Sequence, residues 1–186
     1  MQKAVISASG VFALVLLFAG SVAWAQSPRF GVGHPPTEAD TRPLGVMVAP
    51  DGTGLPPGSG TAVEGKQIFA ARCASCHGAA AEGGDGPALV GGRGTLATPR
   101  PKKTVGSYWP YATTLWDFVN RTMPFNQPGT LSYHEVYAVS AYVLYLNDLF
   151  GETAELNAKN LPQIRMPNRD GFVSDPRPDV PPSRRD

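Results

Sequence analysis

The stretch Cys73-Ala74-Ser75-Cys76-His77 decides how the rest of the chain is interpreted. It holds the only two cysteines of the 186 residues. A disulfide between cysteines so close together would close a tiny loop and stabilise little. A structural zinc site needs four ligands and would have to recruit distant histidines. A thioredoxin-like Cys-x-x-Cys needs a βαβ surround, which the sequence lacks.

The pattern Cys-x-x-Cys-His is instead the one that attaches haem covalently. Each thiol adds to one vinyl group of the porphyrin, and two intervening residues let both sulfurs reach their vinyls. The next residue, His77, is then placed beneath the ring to give its imidazole to iron. The sequence therefore predicts one covalent haem c held by Cys73, Cys76 and His77.

The sixth iron ligand must come from elsewhere in the chain. Methionine with histidine raises the potential and suits electron transfer, whereas an open position suits gas binding or peroxide chemistry. Beyond Met1 and the upstream Met47, the candidates are Met123, which precedes Pro124, and Met166 in the tail. Because a lone methionine is more often core packing, the residues alone leave Met123, Met166 and an open site as alternatives.

The N-terminus has the features of a secretory signal peptide over residues 1–25. Lys3 precedes the apolar run Ala4–Ala19, and Ala23-Trp24-Ala25 fits a cleavage site. The run is shorter than the roughly 20 residues of a membrane helix, so an uncleaved anchor is the less favoured alternative. We expect export to the periplasm with no span left after cleavage. The net charge of +1 gives no argument for nucleic-acid binding.

Composition divides the rest of the chain into three parts. Residues 26–60, with seven prolines and seven glycines, predict an N-terminal arm without regular structure. Residues 61–150 carry helical periodicity and form the expected haem domain. Residues 151–186 form a second Pro-rich tail. Both flanks contain apolar residues that are costly to leave in water, so we expect them to drape over the haem domain or wrap a partner.

Three helices are predicted in the middle part. The first begins at a capping box, Thr61-x-x-Glu64, and reaches the cysteines. The second follows Pro110 and ends before Pro124, with an apolar side formed by Leu115, Phe118 and Val119. No run alternates convincingly enough to be a strand, so the fold class is all-α.

The third helix carries the clearest signal. It begins at a second capping box, Ser132-x-x-Glu135, and Leu131 with Val136 has the spacing of a hydrophobic staple. Apolar residues then recur at three and four positions. Gly151 is the expected stop.

The order of these features resembles the class I cytochrome c fold. A helix, the Cys-x-x-Cys-His stretch, Gly86-Pro87-Ala88-Leu89, Met123-Pro124 and a final helix follow one another. The resemblance implies that the first and last helices cross near Gly65, Phe69, Tyr142 and Val143.

The same resemblance implies roles for individual residues. The carbonyl of Pro87 would hold the second nitrogen of His77, which fixes the ring and its basicity. Met123 would be the distal iron ligand. Tyr108 and Trp109, before the second helix, would donate to the haem propionates, with ordinary core packing as their alternative.

A narrower resemblance is to the SoxD family, the cytochrome subunits of the Sox sulfane (sulfite) dehydrogenases. The stretches that carry it are Pro50–Pro56, Thr104–Ala112, Met123–Phe125, Glu135–Ala138 and Met166–Phe172. It implies a molybdenum-cofactor subunit as electron donor, which oxidises sulfur held as a disulfanyl group on a carrier-protein cysteine. It also implies a downstream cytochrome c as acceptor. Some family members carry two haem motifs, and this chain has one.

Three functions remain open at this point. The chain is an electron-transfer subunit of such a dehydrogenase, or a diffusible carrier for another periplasmic dehydrogenase, or a haem enzyme or sensor with a replaceable distal ligand. The placement of Met123 favours electron transfer over the third possibility.

Overall fold

The computed structural model describes Gly33, Pro35, Thr37 and residues 45–173. The chain divides into two units, Met1–Thr41 and Arg42–Asp186, and the fold below is that of the second. The predicted signal peptide lies outside the described residues, as do most of residues 26–44 and all of 174–186. Within the described part of the chain, no helix has the length and apolar character to cross a membrane.

The described part of the second unit is mostly helical, as predicted. The elements in chain order are β1 (Ser59–Gly60), α1 (Ala62–Arg72), α2 (Ala74–His77), α3 (Ala112–Thr122), α4 (Tyr133–Leu146), β2 (Leu156–Asn157) and a 3-10 turn (Leu161–Gln163). The two short strands pair antiparallel, with Ser59 opposite Asn157. No alternating pattern predicted these strands, because two residues are too few to alternate.

Helices α1 and α4 both begin at the predicted capping boxes. Glu64 accepts a hydrogen bond from the Thr61 backbone N–H at 2.7 Å, and the Thr61 hydroxyl accepts from the Glu64 N–H at 3.3 Å. Ser132 and Glu135 exchange the same pair of bonds at the same distances. Each carboxylate accepts from the backbone N–H and also from the hydroxyl of its cap residue, and these two bonds, in that order of size, hold the pKa of both carboxyls below the ordinary value.

The predicted end of α4 at Gly151 is wrong, because the helix ends at Leu146. Asp148 takes a left-handed conformation, with φ of 56°. Its N–H donates to the Tyr145 carbonyl at 2.9 Å, and the Leu149 N–H donates to the Leu144 carbonyl at 3.0 Å. This is a Schellman ending, usually made by glycine, and aspartate is among the residues that tolerate it.

The crossing of α1 and α4 expected from the family resemblance is present. Gly65 lies so close to α4 that an added Cβ would stand 1.9 Å from the Ala138 carbonyl oxygen. One turn further, the rings of Phe69 and Tyr142 pack with centroids 5.4 Å apart. Because Gly65 has no side chain, α1 and α4 can approach each other this closely.

The predicted apolar side of α3 is confirmed at two of its three residues and wrong at the third. Leu115 and Val119 are buried as expected, but Phe118 is 42% exposed and Trp116 is fully buried. Trp116 packs against the ring of Tyr137 on α4 at a centroid distance of 5.3 Å. The buried stripe thus runs through positions 112, 115, 116 and 119, which is one helical face, and leaves position 118 at its margin.

Both flanks pack onto the helices where they are described. On the N-terminal side, the Val48 N–H donates to Asp117 of α3 at 3.0 Å, and the Tyr137 hydroxyl of α4 donates to the Pro56 carbonyl at 2.9 Å. On the C-terminal side, the buried side chains are those of Leu156, Leu161 and Met166. The core therefore includes residues of the C-terminal flank, and Val46, Val48 and Leu55 of the N-terminal flank pack against it.

Candidate haem site

The Cys-x-x-Cys-His stretch forms one turn of helix directly after α1. The Cys73 carbonyl accepts from the N–H groups of Cys76 and His77, at 3.1 and 3.0 Å. Neither cysteine forms a disulfide, and Cys73 is half-buried while Cys76 is exposed. This turn brings both sulfurs and the imidazole into one short segment at the end of α1, the sequence order that covalent haem attachment uses.

Burial affects the chemistry of the first thiol. Desolvation raises the pKa of Cys73 to about 11, against a smaller opposing effect of the neighbouring Arg72 charge. A reactive cysteine has a lowered pKa, so Cys73 does not have the environment of a redox-active thiol. The environment suits a sulfur that ends in a neutral thioether.

His77 is held by the contact that the family resemblance implied. Its Nδ1 lies 2.8 Å from the Pro87 carbonyl oxygen. A carbonyl can only accept, so Nδ1 carries the proton and Nε2 keeps its lone pair. Gly86 allows the approach, since a Cβ there would stand 3.1 Å from Nδ1 and Cε1 of His77. The ring is thus oriented to present Nε2 as a metal ligand.

The turn that carries Pro87 is fixed by backbone hydrogen bonds. The Gly83 N–H donates to the His77 carbonyl at 2.7 Å, and the Gly86 N–H donates to the Cys76 carbonyl at 2.8 Å. Further along, the Leu89 N–H donates to the Ala81 carbonyl at 2.9 Å. The histidine and the carbonyl that holds it therefore belong to one hydrogen-bonded loop.

Met123 stands at the end of α3. Its N–H donates to the Val119 carbonyl at 3.1 Å, and its half-buried side chain packs against the hydrophobic core. The alternative ligand Met166 is fully buried in that core, and Met47 is 60% exposed. The assignment of Met123 to iron stays a prediction.

Tyr108 and Trp109 lie in the segment before α3 and pack against other aromatic rings. Tyr108 meets Phe172 edge-on at 5.3 Å, and Trp109 meets Phe118 edge-on at 5.6 Å. The backbone carbonyl of Tyr108 accepts from Asn168 at 2.7 Å. Within the described part of the chain, neither the hydroxyl nor the indole N–H has a hydrogen-bond partner, so both remain available as donors.

Two residues of this region were not singled out from the sequence. Arg72, the last residue of α1, donates to Thr130 in the loop after Met123 at 2.8 Å. Trp116 is fully buried, and its indole N–H has no hydrogen-bond partner among the described residues. In the sequence, nothing distinguished Arg72 from the other surface charges. Trp116 could have been recognised only from its helical spacing with Leu115 and Val119.

The donor set fits a haem better than a bare metal ion. It consists of two free thiols and an imidazole whose Nε2 is available. In residues 45–173 and the three described residues before them, no group of three or more His, Cys, Asp or Glu side chains could hold an ion. Thiols placed for porphyrin vinyls and one imidazole for iron are what a c-type haem requires.

Comparisons with known proteins agree with this geometry. A family profile for cytochrome c matches residues 62–147. Among solved structures, the sulfane dehydrogenase SoxCD from Paracoccus pantotrophus is 44% identical in sequence, with a TM-score of 0.72. The likeness covers 81% of this chain and 75% of that chain. No significant match was found among curated proteins. The chain therefore belongs to the cytochrome c family, binds haem c covalently, and is similar to the cytochrome subunit of SoxCD.

Proposed function

We propose that this chain is the monohaem electron-transfer subunit of a periplasmic sulfane or sulfite dehydrogenase, and that it accepts electrons from a molybdenum-containing catalytic subunit. Electron transfer itself follows from the cytochrome c domain. The partner, the sulfur substrate and the location are the proposed part, as is a downstream cytochrome c that receives the electrons.

The extent of the likeness to SoxCD carries this proposal. The cytochrome c profile ends at residue 147, whereas the likeness to SoxCD covers 81% of the chain and so includes flanking residues. A shared fold alone would say nothing about function. The flanks of this chain pack onto α3 and α4 through specific contacts. Because the likeness to SoxCD extends into these flanks, it supports assembly with a similar partner.

The chain's own residues have a limited task in such a reaction. When bound, haem supplies the one-electron redox chemistry. His77 provides the proximal nitrogen, and Pro87 fixes the orientation and basicity of that ring through the 2.8 Å bond. We assign the distal position to the Met123 thioether, which would favour a raised potential. No proton-transfer group is needed.

Isolation of a tagged chain from its native host tests the proposal. The osmotic-shock fraction should contain the protein together with a molybdenum-containing subunit, identified by metal analysis and mass spectrometry. Addition of the substrate should then reduce the haem, followed by its visible absorption bands. The same preparation from an untagged strain is the control.

Tests with two different substrates distinguish the possible outcomes. Reduction by a carrier protein charged with sulfane sulfur supports a sulfane dehydrogenase, and reduction by sulfite alone supports a sulfite dehydrogenase. A molybdenum-free protein that neither substrate reduces would make the chain a diffusible carrier for another dehydrogenase. Ready binding of imidazole to the ferric protein would favour a haem enzyme or sensor instead.

A further inference from the structure

The loop that follows Met123 is exposed and polar. Residues 125–130 are all exposed, and Phe125 is 85% exposed. The buried residues Pro124 and Leu131 lie on either side of these six. Because these six residues bury little apolar surface, hydrogen bonds must contribute much of what holds the loop in one position.

A chain of hydrogen bonds crosses this loop and ends on α1. The Gln127 N–H donates to the Pro124 carbonyl at 2.8 Å, and the Thr130 hydroxyl donates to the Gln127 carbonyl at 2.8 Å. The Arg72 guanidinium donates to the Thr130 oxygen at 2.8 Å, with a second, longer contact to the Gln127 side-chain oxygen at 3.5 Å. The bonds thus connect Pro124 with the residue that precedes Cys73.

Arg72, at the α1 end of this series of hydrogen bonds, is well fixed. Arg72 is the last residue of α1, whose first turn is capped and whose Gly65 lies against α4. The guanidinium therefore links the end of α1, one residue before Cys73, to the loop after Met123, and its planar fork suits the two acceptors there.

We propose that Arg72 is a positioning residue for the sixth iron ligand: it ties the loop after Met123 to the haem-attachment turn and so keeps the Met123 thioether in place. This proposal rests on the assignment of Met123 to iron made above. The Met123 thioether competes with ligands in solution for the iron through its effective concentration near the metal. That concentration falls when the loop after Met123 can move away. Loss of the Arg72 bonds should therefore make Met123 easier to displace.

Imidazole binding to the isolated ferric holoprotein measures this displacement at fixed pH. We expect Arg72→Ala and Thr130→Val each to lower the apparent Kd for imidazole about tenfold, roughly the effect of one hydrogen bond to a charged group. The double variant should resemble Thr130→Val, without the two effects multiplying, because Thr130→Val already breaks the Arg72–Thr130 bond together with the bond from Thr130 to the Gln127 carbonyl. Lys66→Ala removes an exposed charge from the same helix and should stay within twofold of wild type.

Met123→Ala serves as the reference for a protein whose sixth ligand is already lost. Values for Arg72→Ala and Thr130→Val that stay within twofold of wild type, while Met123→Ala binds imidazole far more tightly, would overturn the role of Arg72. A shift in the urea midpoint without a shift in imidazole affinity would also overturn it. A wild type that binds imidazole as tightly as Met123→Ala would remove the ligand assignment itself.

Two features keep the experiment decisive. If Arg72→Ala yields no holoprotein, Thr130→Val and Arg72→Lys test the same bond, and the lysine variant should fall between wild type and Thr130→Val. Because the assay uses the isolated holoprotein, the absence of a molybdenum partner would refute the proposed function and leave this result unchanged.

Discussion

Substitution of Gly65 by alanine should strongly destabilise the protein. The new Cβ would stand 1.9 Å from the Ala138 carbonyl oxygen, 2.5 Å from its carbon and 2.9 Å from the Tyr142 Cβ. Two of these atoms are backbone and cannot rotate away, so α1 and α4 must separate. Overpacking usually costs about 1–3 kcal/mol and sometimes more, while alanine regains about 1 kcal/mol of helix propensity. Because backbone atoms must move apart, we expect a cost at the upper end of that range, which leaves a net loss of about 2 kcal/mol after the gain in helix propensity.

Urea unfolding of the holoprotein, followed by far-ultraviolet circular dichroism, measures this loss. Val63→Ala is the matched control, since Val63 lies on the same helix and is 46% exposed; it should change the unfolding free energy by less than about 0.5 kcal/mol. A Gly65→Ala protein as stable as wild type would show that the helices do not approach each other as closely as described.

Three further predictions concern the tail, the caps and the iron. Leu161→Ala and Met166→Ala should each lower the unfolding free energy in urea by about 2–5 kcal/mol, because both side chains are fully buried. The folded pKa of Glu135 lies below 4.5, so its stabilisation is present above about pH 4.5 and is lost as pH falls through the lowered pKa. Stability of Glu135→Gln, measured by urea unfolding between pH 6 and 3, should therefore fall less steeply than that of wild type. Met123→Ala should lower the reduction potential, measured by spectroelectrochemistry, by on the order of 0.1 V, within the roughly 0.8 V range that axial ligands control; an unchanged potential would argue against this ligand.

Local signals predicted the helix starts and the haem-attachment turn well. A capping box involves residues three positions apart, so the pairs at Thr61 and Ser132 were visible without knowledge of the fold. The end of α4 was not visible in the same way. Glycine at position 151 was the usual candidate, but the left-handed residue is Asp148, which tolerates that conformation without being specific for it.

Contacts between distant segments could not be derived from spacing. Trp116 packs against Tyr137 of α4, a contact that the spacing of residues within α3 cannot show, although that spacing does place Trp116 on the face of Leu115 and Val119. The role of Arg72 depends on Thr130, fifty-eight positions away. Proximity of His77 to Pro87 came from the family resemblance, since the loop between them shows no periodic pattern.

The burial of the C-terminal flank has a consequence for the order in which the molecule can be completed. Strand β1 pairs with β2, which lies almost one hundred residues later in the chain. The side chains that fill the core beyond α4, those of Leu156, Leu161 and Met166, follow α1 to α4 in the chain. Contacts over such long sequence separations form slowly. Helices α1 to α4 therefore cannot be fully packed until residues 156–166 have joined them.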